Sequence, residues 1–247
     1  MNILVRWERY RALKLSGEQP GTTIVIVNFN TLDILKTTVA AVKRYTGPGT
    51  KLIVVDNGSK DGSREWLSGQ RNGLVPVLLR TNLGHGRALD IGICRATTSR
   101  VLLMDSDAFP VTQGWLESLE RQMCSQNLLA IGMRGRRNRL HPACALINRD
   151  HYLKTRVSMA VHSRFLEPGE KRELGVNSWD CAELFSLTIP EGRRQLIDTT
   201  PTPYGGDLIG GLVYHHRRLT ELGMESGGSM TPHHDLWAAA RGHYLAE

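Results

Sequence analysis

Apolar residues in the first half of this chain fall into short uninterrupted runs, and each run breaks into a polar loop. Thr22 to Val27 (Thr-Thr-Ile-Val-Ile-Val) leads into Asn28-Phe29-Asn30, after which Leu32, Leu35, Val39 and Val42 recur at helical spacing, with Thr31 in the cap position. Gly47-Pro48-Gly49 turns the chain into a second run, Lys51 to Val55. It ends in Asp56-Asn57-Gly58-Ser59-Lys60-Asp61-Gly62-Ser63, a loop dense in turn formers, before a short helix around Glu65 to Leu67. A third strand is expected at Val75 to Leu79, where Pro76 lacks an N–H and suits a sheet edge. Asn82-Leu83-Gly84-His85-Gly86-Arg87-Ala88 then opens a helix that turns Leu89, Ile93 and Ala96 inward. A fourth run, Val101 to Met104, ends at Asp105-Ser106-Asp107. Fully apolar strands alternating with helices predict an α/β fold with a mostly parallel central sheet flanked by helices. Open sheets of this kind bind ligands at the carboxyl ends of their strands, where Asp56, Asn82 and the Asp105/Asp107 pair all fall.

Two carboxylates at the end of a buried strand suit a divalent cation, because hard ions take oxygen ligands. The competing reading makes them turn residues capping the next helix. Asp56 has the same two sides, since an Asp before Asn-Gly-Ser is an ordinary turn former and also an acceptor for the imide N–H of uracil or thymine. Other nucleotide folds fit less well. Leu89 stands three residues beyond Gly86 where a dinucleotide fingerprint needs Gly or Ala, and no Gly-x-x-x-x-Gly-Lys-Ser/Thr occurs.

Four ordered motifs, Thr-Ile-Val-Ile-Val-Asn-Phe-Asn, Ile-Val-Val-Asp-Asn-Gly-Ser-Lys-Asp-Gly-Ser, Asn-Leu-Gly-His-Gly-Arg-Ala and Leu-Leu-Met-Asp-Ser-Asp, together resemble the nucleotide-sugar-binding half of family 2 glycosyltransferases. The resemblance covers roughly residues 22 to 130. It implies a GT-A fold, a nucleoside-diphosphate sugar donor, a divalent metal (manganese or magnesium) and inversion at the anomeric carbon. Val27 and Phe29 would border the nucleobase, Asp56 would hydrogen-bond it, and Asn28, Asn82, Gly84 and Ser106 would complete the donor site. Asp107 would ligate the metal directly, with Asp105 nearer the ribose or a metal-bound water. The implied donor is a UDP- or dTDP-sugar, and the acceptor a hydroxyl on a glycan, a lipid-linked saccharide or a secondary metabolite. A nucleotidyltransferase that releases pyrophosphate and a non-catalytic nucleotide-sugar-binding module are the alternatives.

The second half must then supply the acceptor side. Gly114 to Gln126 is expected as a helix with Leu116, Leu119 and Met123 inward, followed by strands at Leu128 to Gly132 and Ala143 to Ile147. His141 resembles a structural position where the family's chain returns to the sheet. Asn177-Ser178-Trp179-Asp180-Cys181-Ala182-Glu183 is similar to the family's acceptor segment, although Cys181-Ala182 departs from its Thr-Gly version. An inverting transfer needs a carboxylate to take the acceptor proton. Asp180 is the candidate and Glu183 the alternative, while Asp180-x-x-Glu183 also reads as a capping box. Related enzymes supply a late histidine to the metal. Here that role falls to His215 or His216, with His233-His234 as competitors.

The 247 residues, 40% of them hydrophobic, can bury one full core without a repeat or long linker. A single domain is expected over residues 1–247, with a lead-in over 1–20, a donor half over about 21–130 and an acceptor half over about 131–247. The lead-in, mixing Arg6, Arg9, Arg11 and Lys14 with Trp7, Tyr10 and Leu13, is open between strand and helix. It lacks a signal peptide's apolar core, and no run approaches the roughly 20 apolar residues of a membrane span, so a cytoplasmic protein is expected. Cys94, Cys124, Cys144 and Cys181 lack zinc-like spacing and read as reduced and mostly buried. A net charge of +7 suits anionic lipid, nucleic acid or an acidic acceptor. No nucleic-acid module supports the second, and peripheral membrane association stays open. Arg134, Arg136, Arg137 and Arg139 form the densest cluster, fit for a diphosphate or an anionic acceptor, or for a solvated face.

Overall fold

The computed structural model describes residues 3–14, 19–71, 73–160, 180–216 and 231–246. The lead-in is a helix, α1 (Ile3–Lys14). Beyond it, strands and helices alternate: β1 (Gln19–Asn28), α2 (Leu32–Tyr45), β2 (Lys51–Asp56), α3 (Ser63–Ser68), β3 (Leu74–Leu78), α4 (His85–Arg95), β4 (Thr98–Asp105), β5 (Ala108–Pro110) and α5 (Trp115–Ser125). The second half adds β6 (Ala130–Arg134), β7 (Leu140–Asn148), α6 (Arg149–Thr155), α7 (Glu183–Leu187), β8 (Arg194–Ile197), β9 (Thr199–Pro201), β10 (Asp207–Ile209), β11 (Val213–His215) and α8 (Thr231–Leu245).

Seven strands form the central sheet in the order β3-β2-β1-β4-β7-β6-β8, and β7 alone runs against the rest. Pro76 lies on the edge strand β3, where its missing N–H costs the ladder nothing on the open side. Alternate residues of each strand feed two apolar layers. Val25, Ile53, Val55 and Leu103 pack with Leu89 and Ile93 of α4, while Ile24, Val54, Leu102 and Met104 pack with Leu35, Val39 and Val42 of α2 and Leu116, Leu119 and Met123 of α5. Gly92 lets α4 lie close on β1, since a Cβ there would come within 2.4 Å of Val25 Cγ1. A smaller antiparallel sheet, β5-β11-β10-β9, stands beside the main one. It is capped by Phe109, Tyr214 and Trp237, the last from α8.

Local details depart from expectation where a side chain finds a better partner. Thr31 holds the N-cap position of α2 but makes no cap bond; its hydroxyl donates to Asn28 Oδ1, and Asp61 Oδ2 accepts from the Leu32 N–H instead. Asp180 and Glu183 form no capping box, because Ala182, at φ 67°, is the N-cap of α7 and no side chain caps it. All four cysteines are free thiols, but Cys124 is exposed. Asn177, Ser178 and Trp179 lie outside the described residues. No helix among the described residues is long and apolar enough to cross a membrane.

Candidate active site

The parallel register of β1 with its neighbours sets the site. Asn28 pairs with Asp56 on one side and Val27 with Asp105 on the other, so the polar ends of three strands share one edge. β7 then runs antiparallel to β4 with Met104 opposite Cys144, which brings His141, ahead of Cys144, beside the carboxylates that follow Met104. The small sheet delivers the third wall. Ala108 pairs with His215, and the His216 N–H donates to the Asp107 carbonyl at 3.0 Å, fixing His215 against Asp107.

Asp105, Asp107 and His215 converge there, with ligand atoms all within 4.8 Å of one another. His215 Nε2 lies 3.6 Å from Asp105 Oδ2 and 3.7 Å from Asp107 Oδ1. These gaps are too long for hydrogen bonds. They leave the three ligand atoms close enough to share one cation. Two carboxylates and one imidazole thus form a group that could hold a divalent cation. His216, the other candidate ligand, points elsewhere: its Nδ1 is 2.7 Å from the Tyr214 hydroxyl and its ring packs edge-on against Trp237 and His233. Burial and the neighbouring histidines push its pKa down to about 4, so it stays neutral.

Two further histidines complete the surroundings. His85, at the first turn of α4, places Nε2 3.3 Å from Asp105 Oδ1. His141 Nδ1 accepts the Ala143 N–H at 3.1 Å, which leaves its proton on Nε2, 3.3 Å from Asp180 Oδ2. The His141 ring lies 5.7 Å from that of His215, so His141 stands between the metal-type cluster and Asp180. Burial works to raise the Asp105 pKa, but His85, His141 and His215 hold it well below the ordinary carboxylate range. Burial also works against charge on His141, yet Asp180, Asp105 and Asp107 raise its pKa; His141 in turn keeps Asp180 low against its own burial. Asp180 is therefore ionised near neutrality. Its side chain keeps 44% of its exposure. Glu183 is buried against Arg137 at 3.1 Å, and burial raises its pKa despite that partner.

The remaining expected donor residues form a braced rim. Asp56 has no exposed surface: Oδ1 accepts from the N–H groups of Gly58 and Ser59 and from Arg64, and Oδ2 accepts from Asn28 Nδ2. Asn82 accepts from Asn57 Nδ2 and the Gly84 N–H, both at 2.8 Å. Gly58 (φ 87°) admits the close passage of Thr81, whose carbonyl carbon would lie 2.7 Å from any Cβ. Ser106 is buried, its carbonyl taking the Thr38 hydroxyl at 2.6 Å, while Val27 and Asn28 are buried and Phe29 is half-exposed. Of the arginine cluster, Arg134 pairs with Asp198 and Arg137 with Glu183. The sequence reading gave His85 no role and took His141 as structural; the structure places both beside Asp105. The signal for His85 was its place directly after the Gly84 turn at a helix start; that for His141 was the direction of β7, which no local pattern encodes.

A family model described as glycosyl transferase family 2 matches residues 23–188. The chain is 28% identical over 88 residues to an uncharacterized glycosyltransferase of Nostoc sp., a match that spans 34% of this chain and 27% of that relative. Its fold is similar to that of a mannosyltransferase from Pyrobaculum calidifontis solved with GDP-Man and Mn2+, at a TM-score of 0.54 and 16% identity, covering 99% of this chain and 77% of the other. A second similar structure is S. aureus TarS 1-349 in complex with UDP-GlcNAc, at a TM-score of 0.54 and 14% identity, covering 92% and 68%.

Proposed function

This chain belongs to glycosyl transferase family 2, and from that premise we propose that it transfers a sugar from a UDP- or dTDP-sugar to an acceptor hydroxyl by single displacement with inversion. The observation that carries the proposal is the convergence of Asp105, Asp107 and His215 at the end of β4, with the His141–Asp180 pair beside them. A manganese or magnesium ion held by the first three would neutralise charge growing on the departing diphosphate. Asp180, ionised and half-open, takes the proton of the attacking hydroxyl as the new C–O bond forms. His141 orients that carboxylate through Nε2, and its own orientation is fixed by the Ala143 N–H. The rim of Asn28, Asp56, Asn82 and Gly84 holds the edge on which the nucleoside rests, Asp56 through the turn it braces, with Val27, Phe29 and Ser106 beside it. The solved relatives' complexes with GDP-Man and UDP-GlcNAc support a nucleotide-sugar donor as a class.

The test is a panel of nucleotide sugars incubated with manganese, magnesium or a chelator, with the released nucleotide quantified. Nucleoside diphosphate released only with metal supports the reading. Pyrophosphate would make the protein a nucleotidyltransferase, and metal-dependent donor binding without transfer or donor hydrolysis would make it a binding module.

A further inference from the structure

Helix α1 is built inside out. It buries Val5, Glu8, Arg9 and Ala12 against the body and turns its largest apolar side chains to solvent. Ile3 is 85% exposed, Trp7 53%, Tyr10 60% and Leu13 50%. The inward charges are held by partners: Glu8 bonds Arg95 at 2.7 Å, and Arg9 lies over the Tyr152 ring and donates to the Val157 carbonyl. Such burial is costly without those partners. An ordinary surface helix would place these groups the other way round, so its own stability does not explain the pattern.

The outward face is also strongly cationic. Arg6, Arg11 and Lys14 are exposed on it among the apolar residues. At about 100° per residue the seven side chains occupy an arc of about 160°. Arg11 and Lys14 lie against the rings of Trp7 and Tyr10. The helix's one carboxylate, Glu8, is buried and is shared between Arg11 at 3.8 Å and Arg95, so Arg6 and Lys14 have no further carboxylate on the helix to offset them. The positive character extends into an adjoining cleft of about 210 Å³, lined by Arg11, Arg95 and Arg149 beside Glu8.

We propose that the outward face of α1 seats this protein on the surface of an anionic lipid bilayer. Aromatic and aliphatic side chains on the same face as cations suit the interface, where rings and chains enter the headgroup boundary and the cations meet lipid phosphates. A protein partner would have to match three cations and four apolar groups on one helix face with a complementary acidic surface; the protein's net charge of +7 disfavours a second copy of this chain in that role. The seat leaves the active site free. Glu8 of α1 grips Arg95 at the end of α4, whereas His85 at the opposite end faces Asp105, and eleven helical residues put about 16 Å between those ends.

Vesicle co-sedimentation of the full chain tests the seat, using phosphatidylcholine alone and an equal mixture of phosphatidylcholine and phosphatidylglycerol. The protein is expected to pellet with the mixed vesicles and not with phosphatidylcholine alone, and added salt should release it in part. Trp7→Ser with Tyr10→Ser, and separately Arg6→Glu with Lys14→Glu, should each weaken partitioning by about tenfold or more. Melting temperature and metal-dependent nucleotide binding should stay unchanged. Wild-type protein that stays in the supernatant with mixed vesicles overturns the proposal. So does sedimentation velocity showing a dimer that Trp7→Ser with Tyr10→Ser converts to a monomer, since a second copy would then cover the face.

Discussion

Asp56 and Asp105 end the two parallel strands that flank β1, one register step apart, and the chain treats them in opposite ways. Asp56 is saturated: two backbone N–H groups, an amide and a guanidinium use both of its oxygens, and no surface remains. Asp105 instead faces imidazoles: His85 Nε2 lies 3.3 Å from its Oδ1 and His215 Nε2 3.6 Å from its Oδ2. A carboxylate with both oxygens bonded and no exposed surface holds a loop, whereas one that faces histidines beside a second carboxylate is suited to a ligand. Sequence position alone cannot separate the two, since both stand at strand ends; the count of committed donors can.

The largest effect should come from the carboxylate pair that follows β4. Asp107→Ala should lower transfer by about 10⁴-fold, several kcal/mol at 1.36 kcal/mol per decade, and should abolish metal-dependent donor binding. Calorimetry with donor and manganese measures the binding, and circular dichroism should show an intact fold. Unchanged affinity would place the cation elsewhere and collapse the contrast. Next comes Asp180→Asn, which removes the base while nearly keeping its shape and should lower turnover by about 10²–10⁴-fold with little change in donor affinity. Turnover close to wild type at saturating substrates would turn attention to Glu183, despite its burial against Arg137.

A smaller effect is expected one step back. His141→Ala should lower turnover by about 10–100-fold, the usual loss when a group orienting a reactive neighbour is removed, with donor affinity held within about threefold. It should also lift the constraint that keeps Asp180 low, so the acidic limb of the rate–pH profile should move to higher pH. A flat response in both rate and profile would make His141 a packing residue, as its sequence neighbourhood had suggested.

The layout of the first half was readable because each strand there is a solid apolar run with its polar residues at one end. β1, β2, β3 and β4 fall within two or three residues of their expected spans. The edge place of Pro76, the inward faces of α2, α4 and α5, and the Asp105/Asp107 pair follow from the same pattern. What stayed hidden depends on pairing across long separations. His141 reaches Asp105 only because β7 returns antiparallel; His215 was expected beside the carboxylates from the resemblance, but its choice over His216 rests on a three-residue pairing of β11 with β5. Such short strands carry too few residues for a period to be read. α1 stayed ambiguous for another reason: its charges fall on both faces, Glu8 and Arg9 inward and Arg6, Arg11 and Lys14 outward, so its pattern matches neither a surface helix nor a strand.

The smallest effect belongs to the saturated carboxylate and decides whether the contrast is real. Asp56→Asn keeps the size of the side chain and one oxygen, which can still accept the N–H groups of Gly58 and Ser59. The new amide nitrogen replaces Oδ2 and meets Asn28 Nδ2, a donor facing a donor at a fully buried position. Arg64 loses its charged partner but keeps the Leu79 carbonyl, and it is partly solvated, so its share of the loss is small. One broken buried hydrogen bond with an unmatched donor costs about 1–3 kcal/mol. The urea midpoint should therefore fall while the slope of the transition stays constant, the sign of lost stability in an unchanged fold. Donor affinity of the folded variant, measured well below that midpoint, should match wild type within about threefold, because the turn at Gly58 and Ser59 is still held. If affinity falls as far as stability does, Asp56 turns toward the nucleobase when donor binds. The two strand ends would then be two halves of one binding surface rather than a scaffold and a site.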